Sequence, residues 1–246
     1  MDINQLLQRK ILNGKKYEPL FPSVACDSEA LGSGNTFDSV RLIVQMVKKY
    51  QHQTAKLSPL LKGFDTKATV DKIYGFLYNH IQYKADKRDQ LLRSPACAFK
   101  QRVDGIDCKS YSIFASCILS NLGIKHYIRQ IKQPSFNPQL YTHVYVVVPM
   151  DQKTGSLKGG HFVVDATTRT NNEPIYTMAQ DVNVSLPHFG LNAARTKRKA
   201  APKKATARKT TTRKTVAKKS GFLGKAVLVG VGAIGGFLFA GNKTKA

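Results

Sequence analysis

Residues 104–124 read DGIDCKSYSIFASCILSNLGI, and this stretch predicts a helix with a cysteine at its start. Asp107 is a residue type that caps helices, because its side-chain oxygen accepts a hydrogen bond from a backbone N–H of the first turn. Apolar residues then recur at helical spacing, and Gly123 follows as a typical helix terminator. The sequence therefore predicts a helix over 107–122 with Cys108 in its first turn.

The position of Cys108 favours a reactive thiol. Unpaired N–H groups and the helix dipole favour an anion at a helix start, and the thiolate is the nucleophilic form of cysteine. Cys117 lies nine residues later, or about 900° around the helix. We therefore expect Cys117 to be inert core. A lone cysteine at a helix start is more often structural than catalytic, so Cys108 needs partners.

A histidine and an aspartate on two strand-like segments supply such partners. His143 lies in THVYVVV and Asp165 lies in HFVVDATT, and the segment between them reads as a hairpin loop. A hairpin centred on Thr154 would pair Val148 with Gly160 and place the two side chains opposite each other on one face. The pattern predicts a base oriented by a carboxylate, as a cysteine nucleophile requires.

Two further residues are candidates for the same site. His161 is a rival base, because it lies two residues from a symmetric position in the hairpin. Gln101 is a candidate second donor for an oxyanion, beside the backbone N–H of Cys108.

The remaining pattern predicts an α+β domain with helices packed on an antiparallel sheet. Apolar stripes at helical spacing predict helices over 37–50 and 70–83. Segments rich in Val, Tyr, Ile and Phe predict strands over 126–131, 141–149 and 161–166. Helices come first and strands follow, which is the order of an α+β fold rather than of a βαβ repeat.

The stretch 70–168 resembles the core of the transglutaminase-like superfamily, whose fold is related to papain. It covers about two-fifths of the chain, and the order of Cys, His and Asp carries more weight than any one motif. In chain order, the motifs are Ile81-Gln82-Tyr83, Arg93-Ser94-Pro95, Gly105-Ile106-Asp107-Cys108-Lys109, Leu119-Ser120-Asn121-Leu122-Gly123-Ile124, His143 and Asp165-Ala166-Thr167.

The resemblance implies that Cys108 forms a thioester with an amide carbonyl, with His143 as base and then acid and Asp165 as the group that orients it. It implies neither a metal nor an organic cofactor. The chain departs from the family in having no Trp after the histidine, where Tyr145 occupies the region, and in one extra residue before Asp107. These departures bear on substrate preference more than on the triad.

The net charge of +24 is concentrated near the end of the chain. All 15 acidic residues lie at or before Asp181, whereas 15 of the 39 Lys and Arg follow it. The segment 192–220 holds twelve Lys or Arg and no acidic residue. Such a composition predicts a disordered segment that binds nucleic acid through phosphates, or anionic lipid, without sequence readout. A merely solubilising linker is the alternative.

The segment 221–241, GFLGKAVLVGVGAIGGFLFAG, is apolar and glycine-rich. At 1.5 Å per residue its helix would span about 31 Å, just enough for a bilayer core of about 30 Å. The segment is therefore a marginal transmembrane helix, and burial in a protein assembly is the alternative. If it spans, the basic residues before it predict a catalytic domain on the cytoplasmic side.

Four regions follow from these patterns: an N-terminal helical extension (1–65), a catalytic core (66–190), a basic tail (191–220) and the apolar segment (221–241). The N-terminus lacks the apolar run of a secretory signal, and no Cys-x-x-Cys pair occurs, so we expect free thiols and a cytoplasmic or virion location. The sequence predicts thiol-dependent acyl transfer or hydrolysis on peptide or glutamine amides. The alternative is a non-catalytic structural or delivery protein of virion type, with a DNA-binding arm and a membrane-active C-terminus.

Overall fold

The computed structural model describes residues 4, 7–30, 36–86 and 90–184. The predicted basic tail and apolar terminal segment lie outside the described residues. Within the described ranges, no helix has both the length and the apolar character needed to cross a bilayer.

Four helices and six strands form the described part of the chain. In chain order they are β1 (Ser28–Ala30), α1 (Thr36–Tyr50), α2 (Thr66–His80), β2 (Leu91–Arg93), α3 (Pro95–Lys100), α4 (Cys108–Asn121), β3 (Tyr127–Lys132), β4 (His143–Pro149), β5 (His161–Val164) and β6 (Met178–Asn183). Short 3₁₀ turns cover Lys15–Leu20, Gln51–Thr54 and Ser58–Leu61. The α+β class is confirmed, because helices precede an antiparallel sheet of order β5-β4-β3-β6.

Helix α4 is the central element, and it begins where the sequence predicts. The Asp107 side chain accepts a hydrogen bond from the Ser110 N–H at 3.1 Å, and Gly123 has a φ of 68° after the helix ends. Nearly the whole helix is buried between α1 and strand β4. Cys117 is fully buried, and burial raises the pKa of its thiol, as expected for a core residue.

The residues before position 66 share the core of the residues after it. Tyr17, Leu20 and Phe21 pack against the main apolar cluster, and Val40 and Ile43 of α1 are buried in it. All described residues fall in one compact unit, Met1–Ala193. Residues on both sides of the predicted boundary at position 65 therefore share one core. The division of the chain into an extension and a catalytic core stays a prediction.

The predicted register of the β4–β5 hairpin is wrong by two positions. Val148 pairs with Phe162, not with Gly160. Gly155 and Gly160 both have positive φ, so the loop between the strands takes a shape that strand periodicity does not reveal. A two-residue shift keeps every side chain on its predicted face, because strand side chains alternate with period two.

The expectation of free thiols is wrong for two of the four cysteines. Cys26 and Cys97 form a disulfide with a Cα–Cα distance of 4.4 Å, which ties the segment before β1 to α3. The pair is 71 residues apart in sequence, and only the fold brings it together.

We expect the unreduced, denatured chain to show two free thiols, rising to four after reduction. Closing a loop of this length stabilises the fold by about 4 kcal/mol in the chain-entropy model. Replacing both Cys26 and Cys97 with Ala should therefore lower the free energy of unfolding by a few kcal/mol. Thiol titration and urea unfolding measure the two effects. Four free thiols before reduction would contradict the bridge.

Candidate active site

Cys108 opens onto a cleft of about 530 Å³. It is the first residue of α4, and its thiol is free and partly exposed. The first-turn N–H groups of a helix have no partner within the helix. The structure therefore places a free thiol beside backbone donors, at the mouth of a cavity large enough for part of a peptide.

His143 and Asp165 meet at this cleft. His143 begins β4, Asp165 follows β5, and the His143 Nε2 lies 2.7 Å from the Asp165 Oδ2. Their side chains are only 10% and 1% exposed. The Asp165 contact occupies Nε2, so Nδ1 is the imidazole nitrogen left to interact with the Cys108 thiol. The structure therefore brings all three predicted residues together, although they come from three different elements.

The environment of His143 favours its protonated form. Burial alone would lower its pKa, but the charge of Asp165, its hydrogen bond and the interaction with Cys108 outweigh burial and raise the pKa to about 10. Burial opposes ionisation of Asp165, yet His143 and Thr167 hold the pKa of Asp165 below its usual value. An imidazolium beside Cys108 favours a thiolate over a thiol.

This charge pattern makes stability depend on pH. In Cys108→Ala no thiol can titrate beside His143, and Asp165 is still present. The pH dependence of stability in this variant therefore reports the titration of the His143 imidazole. A raised pKa contributes stability that is full below about pH 6.5 and is lost as pH rises toward the folded value. Across that interval the free energy of unfolding should fall by up to about 1.4 kcal/mol per pH unit. Urea unfolding at several pH values should show this slope in Cys108→Ala but not in the double variant Cys108→Ala/His143→Asn. Equal slopes in the two variants would contradict the pairing of His143 with Asp165.

Asp165 is held in place by its own loop. Its Oδ1 accepts hydrogen bonds from the Thr167 N–H at 3.1 Å and the Thr167 Oγ1 at 2.6 Å. Its backbone N–H donates to the Asn171 Oδ1 at 3.0 Å. The sequence pattern assigns no role in the site to Thr167 or Asn171, although an aspartate side chain often accepts a hydrogen bond from the backbone two residues later.

A second charged group, Lys109, also lines the cleft. The Lys109 ammonium pairs with Asp107 and donates to the Gln90 Oε1 at 2.8 Å, with Asp86 at 3.8 Å. Burial lowers the pKa of Lys109 to about 8, although Asp86 opposes the shift. Sequence periodicity did not identify this lysine, because a lysine in a first helical turn is usually solvated.

The two rival residues lie elsewhere. His161 contacts Glu173 at 3.1 Å and the Arg129 Nη1 at 3.1 Å, and it does not line the cleft. Gln101 accepts a hydrogen bond from the Arg93 Nε at 2.8 Å and is also absent from the cleft lining. Neither expectation about these residues is supported by their positions.

Tyr145 lies beside the imidazole and belongs to the same strand as His143. Its ring stacks near the His143 ring at a centroid distance of 5.7 Å. Its hydroxyl donates to the Glu173 Oε1 at 2.9 Å, so the ring is fixed at both ends. Tyr145 therefore forms one wall beside the His143 ring.

Among the described residues, no group of three or more His, Cys, Asp or Glu side chains could hold a metal ion. The expectation that the chemistry uses no cofactor stays a prediction.

Comparisons with known proteins give little independent guidance. No family model matches the chain, and no curated protein matches it. A solved structure from Cytophaga hutchinsonii, provisionally described as a cysteine protease, superposes with a TM-score of 0.33 at 18% identity. The match covers 63% of this chain and 43% of that one, so this chain spans less than half of that protein. The functional assignment therefore rests on the geometry of the site.

Proposed function

We propose that this protein is a thiol-dependent acyltransferase or hydrolase of the transglutaminase-like kind, acting on peptide or glutamine amides. The observation that supports this most directly is the position of His143, between the Cys108 thiol and the Asp165 carboxylate, in a cleft. Cysteine enzymes use this arrangement of nucleophile, base and orienting group for covalent catalysis.

In the proposed reaction, the Cys108 thiolate attacks the amide carbonyl carbon and a C–S bond forms. The His143 imidazolium gives its proton to the amide nitrogen, the C–N bond breaks, and ammonia or an amine leaves. Water or a second amine, deprotonated by His143, then attacks the thioester. A C–O or C–N bond forms, the C–S bond breaks, and acid or a new amide is released, so the thiolate and imidazolium are restored.

Two groups are suitable donors to the oxyanion that forms during each attack. The backbone N–H of Cys108 lies in the first helical turn. Tyr83 lines the same cleft, and burial, with the charges of Cys108 and Asp165, raises the pKa of its phenol. The hydroxyl therefore keeps its proton and is able to donate. Such preorganised donors are often worth 10²–10³ in rate.

The surroundings of the cleft favour a polypeptide substrate. A hollow of about 390 Å³ adjoins the cleft and shares Gln133 and Phe136 with it. Phe136 and Ile175 are 75% and 83% exposed there, on two different loops. Exposed apolar side chains beside a catalytic cleft are suited to an apolar residue of the substrate.

A generic protein substrate tests the proposal and separates its possible outcomes. Dimethylated casein with a labelled primary amine should yield incorporated amine, released ammonia or new N-termini. Incorporated amine identifies cross-linking, ammonia released without incorporated amine identifies deamidation, and new N-termini identify proteolysis. The products should depend on Cys108, with Cys108→Ala as the control. No product, together with no thioester on Cys108 by intact mass, would reject the proposal in favour of a structural or delivery protein.

We further propose that the basic segment 192–220 binds polyanions. Twelve Lys or Arg without an acidic residue favour phosphate-rich partners by release of counterions. Nucleic acid and anionic lipid share this chemistry. Deleting residues 192–246 should abolish binding to DNA and to phosphatidylserine vesicles. Deleting only 221–246 should leave vesicle binding intact if 192–220 binds the lipid surface, and should abolish it if binding depends on insertion of 221–241. Unchanged DNA binding without 192–246 would reject the segment as the site.

A further inference from the structure

Arg9 crosses from the N-terminal segment into the centre of the fold. Its Nη2 donates to the Ile81 O at 3.0 Å, the Tyr111 hydroxyl at 2.8 Å and the Ala166 O at 2.9 Å. Its Nη1 lies 3.5 Å from the Thr167 O. One guanidinium therefore joins the end of α2, the first turns of α4 and the loop after β5.

Two of the three joined elements carry or flank residues of the proposed triad. Tyr111 lies three residues after Cys108 on α4. Ala166 and Thr167 directly follow Asp165, and Thr167 donates two hydrogen bonds to the Asp165 carboxylate. Arg9 thus fixes the carbonyls of the same turn that fixes the carboxylate orienting His143.

The contacts of Arg9 are unusual for a half-buried cation. Within the described residues they are carbonyls, a hydroxyl and the ring of Tyr78, 3.9 Å from the guanidinium carbon, with no carboxylate. The Nε atom is buried without a hydrogen-bond partner among those residues. Removing a charge from water, even in part, is costly when no opposite charge compensates it. A planar guanidinium reaches acceptors in several directions at once, which a lysine ammonium on a flexible stem does not reproduce.

We propose that Arg9 is a positioning residue for the site, holding the Asp165 loop against α4 so that the carboxylate stays aligned with His143. The effect of Arg9 on turnover rests on the proposed function, whereas its effect on the alignment of Asp165 with His143 does not. The proposal assigns the N-terminal segment a part in the active site, although that segment lies far from the catalytic residues in sequence.

The full-length Arg9→Met variant tests the proposal, with Arg102→Met as a matched control. Arg102 also ties the N-terminal region to the core, through Glu18 at 2.7 Å and over the Phe99 ring, away from the cleft. The titratable groups around His143 are Cys108 on α4, Asp165 after β5 and Tyr145 on its own strand. The readouts are the NMR titration midpoint of His143, the rate of Cys108 alkylation and the melting temperature.

In Arg9→Met we expect the His143 midpoint to fall by at least one pH unit and alkylation at pH 7 to slow about tenfold. Arg9→Lys should lie between Arg9→Met and wild type, and it serves as the test if Arg9→Met fails to fold. Arg102→Met should lower the melting temperature while leaving the midpoint and the rate unchanged. An Arg9 variant that loses stability but keeps the wild-type midpoint and rate would overturn the proposal. An inert wild-type Cys108 would count against the proposed function alone, because the His143 midpoint still reports the alignment.

Discussion

Replacing His143 with alanine should slow the alkylation of Cys108 by iodoacetamide at pH 6 by about 10²–10³-fold. At that pH an ordinary thiol is almost entirely protonated and reacts slowly. In the wild-type chain the pKa of His143 is raised to about 10, so a protonated imidazole faces Cys108, and the experiment asks whether it activates the thiol. Intact mass spectrometry of the unreduced chain follows the reaction over time.

The chain provides its own controls for this experiment. Cys117 is fully buried and should stay unlabelled, and Cys26 and Cys97 are blocked by their disulfide. His161→Ala removes a histidine that contacts Glu173 rather than the cleft, so this variant should react like wild type. Equal rates in wild type and His143→Ala would show that the imidazole does not activate the thiol.

Replacing Asp165 with asparagine should lower turnover by about 10²–10⁴-fold while leaving the fold intact. In serine proteases the same change in the orienting aspartate lowers turnover by about 10⁴ because the histidine adopts the wrong tautomer. Here an amide at position 165 would face the His143 Nε2 at 2.7 Å without the charge that favours imidazolium. Product formation from the amide substrate, with circular dichroism for folding, measures the effect.

Asp151→Asn is the matched control for the carboxylate. Asp151 lies in the β4–β5 loop and is hydrogen-bonded to Thr154, outside the cleft lining. It should retain wild-type turnover. A folded Asp165→Asn variant with wild-type turnover would show that the carboxylate does not orient the base.

The sequence predicted the parts of the site that depend on local rules. An aspartate directly before an apolar helical stripe commonly caps the helix. The position of Cys108 in the first turn therefore followed from Asp107 and the stripe after it. His143 and Asp165 lie on one strand face despite an error of two in the register, because that error preserves the alternation of faces. The error itself came from a loop whose glycines adopt positive φ, which the strand pattern does not encode.

The parts that the sequence could not predict depend on contacts between distant segments. The Cys26–Cys97 bridge spans 71 residues, and four cysteines allow three complete pairings as well as free thiols. Arg9 meets the Asp165 loop more than 150 residues away, and an isolated arginine near an N-terminus has no periodicity or motif that predicts such contacts. The low pKa of Lys109 likewise arises from burial in the cleft, not from its neighbours in sequence.

The most direct test of the account is the pH dependence of Cys108 alkylation in the wild-type chain. If His143 holds the thiolate, the rate should stay nearly constant from pH 8 down past pH 6 and fall only in stronger acid. An ordinary thiol, with a pKa of about 8.5, would instead lose close to tenfold in rate for each pH unit below 8. The flat profile is the predicted result, and the tenfold loss per unit would contradict an activated cysteine at this site.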